Sequence, residues 1–203
     1  MPPNRYIVIA GNIGAGKTTI IELISYALRP CEVFREQPDI YLERYYHDPA
    51  TFAFLNQLSY SLQFLEQAAR ISQCGSDCTV VQDRSIYDTH QVFSRLVMAS
   101  GFVSPDEFSL LERIYRAADL LVRPTLLVVL DANVDVVFQR MRHRGHKVEA
   151  RVSTDYLIRL RDAYIHWYEE FDLCRKVLIR TDEQSPEAVA RCVLDAVDRQ
   201  ARP

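Results

Sequence analysis

Short apolar runs alternate along this chain with longer segments in which apolar residues recur every three or four positions. The runs predict strands at Tyr6–Ala10, Glu32–Arg35, Thr79–Gln82, Thr125–Leu130 and Lys176–Ile179. Helical spacing is clearest in two sets, Phe52, Leu55, Leu58, Leu62 and Leu65, and Leu157, Leu160, Tyr164 and Trp167. Strands alternating with helices are typical of an α/β fold with a parallel sheet.

Further local signals mark where helices begin and which strands are buried. Ser104-Pro105-Asp106-Glu107 and Ser185-Pro186-Glu187 each combine an N-cap residue with a proline at the first helical position. The continuous apolar run in Thr125–Leu130 predicts a strand that is covered on both sheet faces. Because no linker-like stretch divides the chain, we expect a single domain over residues 1–203.

Composition and charge exclude several classes of protein. Of 203 residues, 48% are hydrophobic and 25% charged, which excludes disorder over most of the length. A net charge of −3 argues against broad neutralisation of nucleic-acid phosphates. The apolar runs are too short for a membrane span, and the N-terminus lacks a signal peptide's pattern. The five scattered cysteines indicate no disulfide framework, so we expect a cytoplasmic location.

The strongest motif follows the first predicted strand directly. Gly11-Asn12-Ile13-Gly14-Ala15-Gly16-Lys17-Thr18-Thr19 fits G-x-x-x-x-G-K-[ST], the pattern of a phosphate-binding P-loop. Glycines allow backbone N–H groups to surround phosphate oxygens, and the following helix N-terminus favours negative charge. Lys17 can neutralise the β- and γ-phosphates, and the Thr18 hydroxyl can bind Mg²⁺. The order of the glycines excludes a dinucleotide-binding turn.

Four further strings follow in a fixed order. They are Arg35-Glu36-Gln37-Pro38, residues 41–57 with Tyr41, Tyr46 and Gln57, Asp83-Arg84-Ser85-Ile86-Tyr87-Asp88, and Arg140-Met141-Arg142-His143-Arg144-Gly145 with Glu149 downstream. Over residues 5–182 this set resembles the deoxynucleoside kinase family, and its short bacterial members in particular. The Asp83–Tyr87 string and the Arg140-x-x-x-Arg144-Gly145 pattern carry most of the resemblance.

The resemblance implies a P-loop kinase fold, with a five-stranded parallel sheet flanked by helices and a short arginine-rich lid at about residues 141–151. It also implies a homodimer that transfers the γ-phosphoryl group of ATP to the 5′-hydroxyl of a deoxyribonucleoside. Mg²⁺ would be bound through Thr18 and Asp83. Neither a nucleic acid nor a membrane is expected as a partner.

Catalytic roles follow from the matched positions. Glu36 comes just after a predicted strand, at the edge where α/β sheets bind ligands, and matches the family's catalytic base. Arg84 matches the arginine that steadies the 5′-oxygen and this carboxylate. Arg140 and Arg144 fit the spacing of lid arginines that stabilise the transferring phosphoryl group, and Lys17 completes the catalytic set. Arg142 fits either this role or a solvent-exposed position.

The family also indicates how the nucleoside is bound. Tyr46 and Glu149 match the residues that bind the sugar 3′-hydroxyl. Gln57 matches the glutamine that pairs with the base edge through its amide donor and acceptor. Tyr41 and Phe93 match the aromatic residues that pack on the base.

Two departures from the family pattern affect specificity. His146 stands where an arginine is usual, and Phe64 and Thr89 occupy the positions of an Arg/Asp pair found beside the base in many members. The base preference is therefore open, although the similarity to deoxyadenosine and deoxyguanosine kinases favours a purine.

Two other functions share parts of this pattern. A nucleoside monophosphate kinase such as thymidylate kinase also has a P-loop, an acid-arginine pair and an arginine lid. Glu36 disfavours that alternative, because a carboxylate facing the 5′ position repels an acceptor phosphate. A regulatory P-loop module would leave Glu36, Tyr46, Gln57 and the lid unexplained.

Overall fold

The computed structural model describes residues 2–146 and 151–199 and contains a parallel sheet of five strands. The strands are β1 Arg5–Gly11, β2 Cys31–Phe34, β3 Thr79–Asp83, β4 Leu126–Asp131 and β5 Arg175–Arg180. They lie side by side in the order β2-β3-β1-β4-β5, with every neighbouring pair parallel. The predicted α/β class is confirmed, and each predicted strand agrees with the observed one to within one residue at either end.

Helices lie between and after the strands, and those starting at Pro105 and Pro186 begin where the sequence predicts an N-cap. The helices are α1 Lys17–Ala27, α2 Leu42–His47, α3 Pro49–Ile71, α4 Ile86–Asp88, α5 Arg95–Ala99, α6 Pro105–Leu121, α7 Val134–Arg144, α8 Thr154–Glu170 and α9 Pro186–Asp198, with a π-helical segment at Thr89–Ser94. The Ser104 hydroxyl accepts from the Glu107 N–H to cap α6, and Ser185 caps α9 in the same way. Within the described ranges, no helix has the length and apolar character that crossing a bilayer requires.

The sheet is covered on both faces, which is why its central strands are apolar throughout. On one face, β1 and β4 pack against α1 and α9, with Ile21, Ile24 and Val193 fully buried. On the other face, the strands pack against α3 and α8. The four residues predicted to share one side of α8 are all buried, as expected: Leu160, Tyr164 and Trp167 pack in the core on this face, and Leu157 packs against α7.

Helix α3 does not bury the side that its leucine spacing predicts. Leu62 is 44% exposed, whereas the buried residues of α3 include Asn56, Gln57 and Gln67. The reason is that α3 borders a cavity and an irregular loop as well as the sheet. Its inner side therefore needs polar groups that can form hydrogen bonds.

Parallel pairing brings the carboxyl ends of the strands to one edge of the sheet. In the register, Ile9 lies beside Asp83 and Gly11 beside Leu130, so the P-loop emerges between the ends of β3 and β4. A side chain at Gly11 would collide with the Leu130 carbonyl oxygen, and its φ of 139° also requires glycine. Sequence segments far apart in the chain thus converge on a single site.

Candidate active site

The P-loop wraps around the amino group of its own lysine. Lys17 donates hydrogen bonds to the carbonyl oxygens of Gly11 and Asn12, each at 3.0 Å. The Asn12 side chain is buried, and its amide donates to the Leu157 carbonyl oxygen at 3.0 Å, which ties the loop to α8. Burial lowers the pKa of Lys17 to about 8, and the positive charge of Arg84 adds to this effect. A bound polyphosphate would raise this pKa again, because its negative charge favours the protonated amino group.

Glu36 and Arg84 form an ion pair next to this lysine. The Arg84 Nε lies 2.7 Å from Glu36 Oε2, and Arg84 is 7% exposed. Burial raises the pKa of the Glu36 carboxyl, although the charges of Arg84 and Lys17 oppose the increase. Within the described residues, Glu36 Oε1 has no hydrogen-bond partner, so one carboxylate oxygen is available to a ligand.

The orientation of Arg84 is set by several contacts at once. It directly follows β3 and has a φ of 60°, a conformation that costs a non-glycine residue roughly 1–2 kcal/mol. Its guanidinium donates to the Tyr164 hydroxyl at 2.8 Å and lies 4.6 Å from the centre of the Phe93 ring. Tyr164 in turn donates to Asp88 Oδ2 at 2.9 Å. These contacts offset the backbone strain and hold the guanidinium towards Glu36.

A cavity of about 350 Å³ opens beside this ion pair, and we call it the first cavity. Most of the residues predicted to bind the acceptor line it, namely Glu36, Tyr46, Gln57, Arg84 and Phe93. Lys17, Thr18 and Asp83 line its P-loop end, and His146 lies in its wall. Tyr41 is not in the lining; its ring stacks on Phe52 with the ring centres 6.5 Å apart, while Leu42 and Tyr45 line the cavity from the same turn.

The wall of the first cavity that is remote from the P-loop is polar without being charged. Gln57 is buried, and its Oε1 accepts from the Ser94 hydroxyl at 3.2 Å. Asn56 and Thr89 also line this wall, and Phe64 is buried behind it. Thr89 and Phe93 belong to the π-helical segment, a distortion that occurs often at functional sites. Amide and hydroxyl groups of this kind suit a neutral heterocycle better than an ion.

A second cavity, of about 310 Å³, lies on the opposite side of the P-loop. It is lined by the loop itself, including Ala15, Gly16 and Thr19, and by Arg140 and residues that follow β5. Four residues line both cavities, namely Gly14, Lys17, Thr18 and Arg144. Groups bound in the two cavities would therefore meet at the P-loop lysine.

The predicted lid residues occupy three different positions. Arg140 lines the second cavity only, and its guanidinium donates to the Thr181 carbonyl oxygen at 2.7 Å and to the Thr181 hydroxyl at 3.1 Å. Arg144 is the last residue of α7 and lines both cavities. Arg142 is exposed and lies over the Phe138 ring at 5.6 Å. Glu149 lies outside the described residues.

The carboxyl end of β3 offers a group that suits Mg²⁺. Asp83 Oδ1 is buried and has no hydrogen-bond partner among the described residues, and Thr18 lines the same cavity. Those residues contain no set of three or more His, Cys, Asp or Glu side chains that could bind a metal alone. Mg²⁺ commonly uses one or two protein oxygens together with water and substrate phosphates, so these two residues fit this ion.

Sequence reasoning missed several residues that complete the site. Tyr164 was expected only as a core residue of α8, yet its hydroxyl joins Arg84 to Asp88. Tyr156 lines the first cavity from the same helix and forms a hydrogen bond with Tyr45. No local pattern marks these tyrosines, because the residues that they contact in the site lie far away in the sequence.

Comparisons with known proteins agree with this geometry. A family model described as deoxynucleoside kinase matches residues 7–200. A deoxyguanosine kinase from Lactobacillus johnsonii is 31% identical over 189 residues, covering 87% of this chain and 82% of that protein. A deoxyadenosine/deoxycytidine kinase from Bacillus subtilis is 25% identical over 189 residues, covering 90% and 85%.

A solved structure shows the same fold. The deoxyadenosine kinase from M. mycoides, with dCMP and dCDP bound, superimposes with a TM-score of 0.81 at 20% identity and covers 95% of this chain and 98% of its own. We conclude from the fold, from the P-loop beside the Glu36–Arg84 ion pair and from the family match that this chain belongs to the deoxynucleoside kinase family and is a nucleoside-phosphorylating enzyme.

Proposed function

We propose that this enzyme transfers the γ-phosphoryl group of ATP to the 5′-hydroxyl of a deoxyribonucleoside bound in the first cavity. The observation that carries the proposal is that both cavities share Gly14, Lys17, Thr18 and Arg144. An acceptor on one side of the P-loop and a donor on the other would have their reacting atoms at these residues. Phosphoryl transfer depends mainly on such positioning and on nearby positive charge.

Glu36 would act as the general base. Its Oε2 is paired with Arg84, which leaves Oε1 for the 5′-hydroxyl, and its raised pKa favours accepting a proton. Arg84 would hold the carboxylate and the 5′-oxygen together. Lys17 and Arg144 would stabilise charge on the transferring group, and Arg140 would act from the donor side.

Mg²⁺ would be bound by Asp83, by the Thr18 hydroxyl and by the donor phosphates. When bound, the ion neutralises charge on the β- and γ-phosphate oxygens. The unpaired Asp83 Oδ1 supports this assignment.

A purine deoxynucleoside is the acceptor that we propose. Gln57 can pair with a purine through a donor and an acceptor, and the wall around it is uncharged. Relatives that are 30% and 31% identical are named deoxyadenosine kinase and deoxyguanosine kinase. Tyr46 and Glu149 would bind the sugar, and Phe93 would pack on the base, with Tyr41 in a supporting position.

The enzyme would work as a homodimer in the cytoplasm. Helices α3 and α6 pack together and leave four large apolar side chains exposed, Leu62, Leu110, Leu120 and Leu121. An apolar surface of this kind favours association with a second copy. The five cysteines are free thiols, which suits a reducing compartment.

A kinase assay with ATP and Mg²⁺ tests the proposal directly. The acceptors should be the four deoxynucleosides, their ribose counterparts and the deoxynucleoside monophosphates. We expect the highest kcat/KM with a purine deoxynucleoside and little activity with any monophosphate. Activity restricted to monophosphates would overturn the proposal in favour of a monophosphate kinase.

A further inference from the structure

The segment that carries Glu36 has no regular secondary structure of its own. Strand β2 ends at Phe34, and residues 35–39 belong to neither a helix nor a strand. The backbone groups beside Glu36 therefore lack the partners that a sheet or a helix would supply. Their positions must come from contacts with other parts of the molecule.

One of these contacts is made by Gln63, on α3. Its Oε1 accepts from the Gln37 N–H at 2.9 Å, and its Nε2 donates to the Gln37 carbonyl oxygen at 3.2 Å. The side-chain amide thus pairs with one residue's backbone at two points. Gln37 is exposed, so water could satisfy the same groups without holding them in place.

The other contact is made by Gln67, one helical turn further along. Its Nε2 donates to the Arg35 carbonyl oxygen at 2.9 Å, and its Oε1 accepts from Gln82 at 2.7 Å. The Tyr6 hydroxyl donates to the other end of Gln82. Because the Arg35 carbonyl oxygen can only accept, it requires the Gln67 amide nitrogen as the donor, and the Gln67 oxygen is then left to accept from Gln82.

We propose that Gln63 and Gln67, the glutamine clamp, are positioning residues that determine where the Glu36 carboxylate lies. They hold the backbone on both sides of Glu36, at Gln37 and at Arg35. Arg84 holds the side chain itself, so the carboxylate is constrained from three directions. The inference rests on the proposed function, since it takes Glu36 to be the general base.

A double-mutant cycle separates positioning from a purely structural role. The kcat and the KM for deoxyadenosine would be measured for wild type, Gln63→Ala, Glu36→Gln and the double variant. Because displacing a reacting group by about 1 Å can cost up to about 10²-fold, we expect Gln63→Ala to lower kcat by about 10- to 100-fold. The KM should change by less than about threefold. In the Glu36→Gln background the same change should lower kcat less than about twofold, because no base remains to be positioned.

Two further variants complete the experiment. Glu66→Ala, at an exposed position of the same helix, is the matched control and should leave kcat unchanged. Gln67→Met should likewise lower kcat much less in the Glu36→Gln background than in the wild type. It should destabilise the protein more than Gln63→Ala does, because Gln67 and its partner Gln82 are buried.

The possible failures point to different conclusions. An equal loss of kcat from Gln63→Ala in both backgrounds, or none beyond the Glu66→Ala control, would overturn the clamp alone. A Glu36→Gln enzyme with nearly normal kcat would overturn the assignment of the base and the clamp with it.

Discussion

Lys17 and Arg84 place two positive charges beside the P-loop before any substrate is present. Lys17 bonds to two carbonyl oxygens of its own loop, and its pKa is lowered to about 8 chiefly by burial and then by Arg84. Arg84 is balanced by Glu36 at 2.7 Å and by the nearby Asp88. Asp83, Glu36 and Asp88 already favour the charged form of Lys17, and a polyphosphate would add to their negative charge, so donor binding should be coupled to the protonation of this lysine.

Raising the pH above about 8 should weaken the binding of MgATP. Only the protonated amino group attracts phosphate, and bound phosphate raises the pKa of Lys17 above its value in the free enzyme. We expect the affinity to fall by about tenfold per pH unit above 8, and calorimetry at pH 8.5 should detect proton uptake on binding. Lys17→Ala should bind weakly and without this dependence, and should retain the fold. A wild-type affinity that stays constant up to pH 9.5 would contradict this account.

Helices α3 and α8 show how far periodicity alone can predict this structure. On α8 the apolar spacing identified the buried residues, because that face packs mainly against the apolar core under the sheet and, at Leu157, against α7. On α3 the same reasoning selected Leu62, which is 44% exposed, and overlooked Gln67, which is buried. Motifs with a specific chemistry, such as the P-loop and the Asp83–Arg84 pair, could be located from the sequence. Polar residues that act through tertiary contacts could not, because their partners lie far away in the chain.

Removing the Tyr164 hydroxyl should destabilise the protein. In Tyr164→Phe, the buried Arg84 and Asp88 each lose a hydrogen-bond partner, which should lower the free energy of unfolding by about 1–3 kcal/mol. Tyr168→Phe on the same helix is the control. Its hydroxyl forms no hydrogen bond within the described residues, so a change below about 0.5 kcal/mol is expected. Urea unfolding at a fixed protein concentration measures both, and equal effects would contradict the structural role of Tyr164.

In the molecule as a whole, the two cavities lie apart from the surface that we propose for association. Both cavities lie at the carboxyl edge of the sheet, on either side of the P-loop. The exposed leucines lie on α3 and α6, which pack against each other, and Leu120 is 84% exposed. Leaving such a side chain in water is unfavourable by roughly 1.5–3 kcal/mol relative to burying it.

Leu120→Arg should therefore dissociate the proposed homodimer. A buried, unpaired guanidinium at the interface would be strongly unfavourable, so sedimentation at micromolar concentration should detect monomers. Leu23→Arg, at a partly exposed position of α1, is the matched control and should leave the oligomeric state unchanged. A wild-type enzyme that sediments as a monomer would exclude the dimer.

The most direct test of the catalytic proposal is the kinetics of Glu36→Gln with deoxyadenosine, ATP and Mg²⁺. The amide keeps the size of the side chain and can still bind the 5′-hydroxyl, but it cannot accept the proton. We predict that kcat falls by about 10²–10⁴-fold while the KM for deoxyadenosine and the affinity for MgATP stay nearly unchanged. A kcat within a few-fold of wild type would contradict a base at Glu36. Improved binding of a deoxynucleoside monophosphate, with its turnover, would indicate instead that the acceptor carries a phosphate.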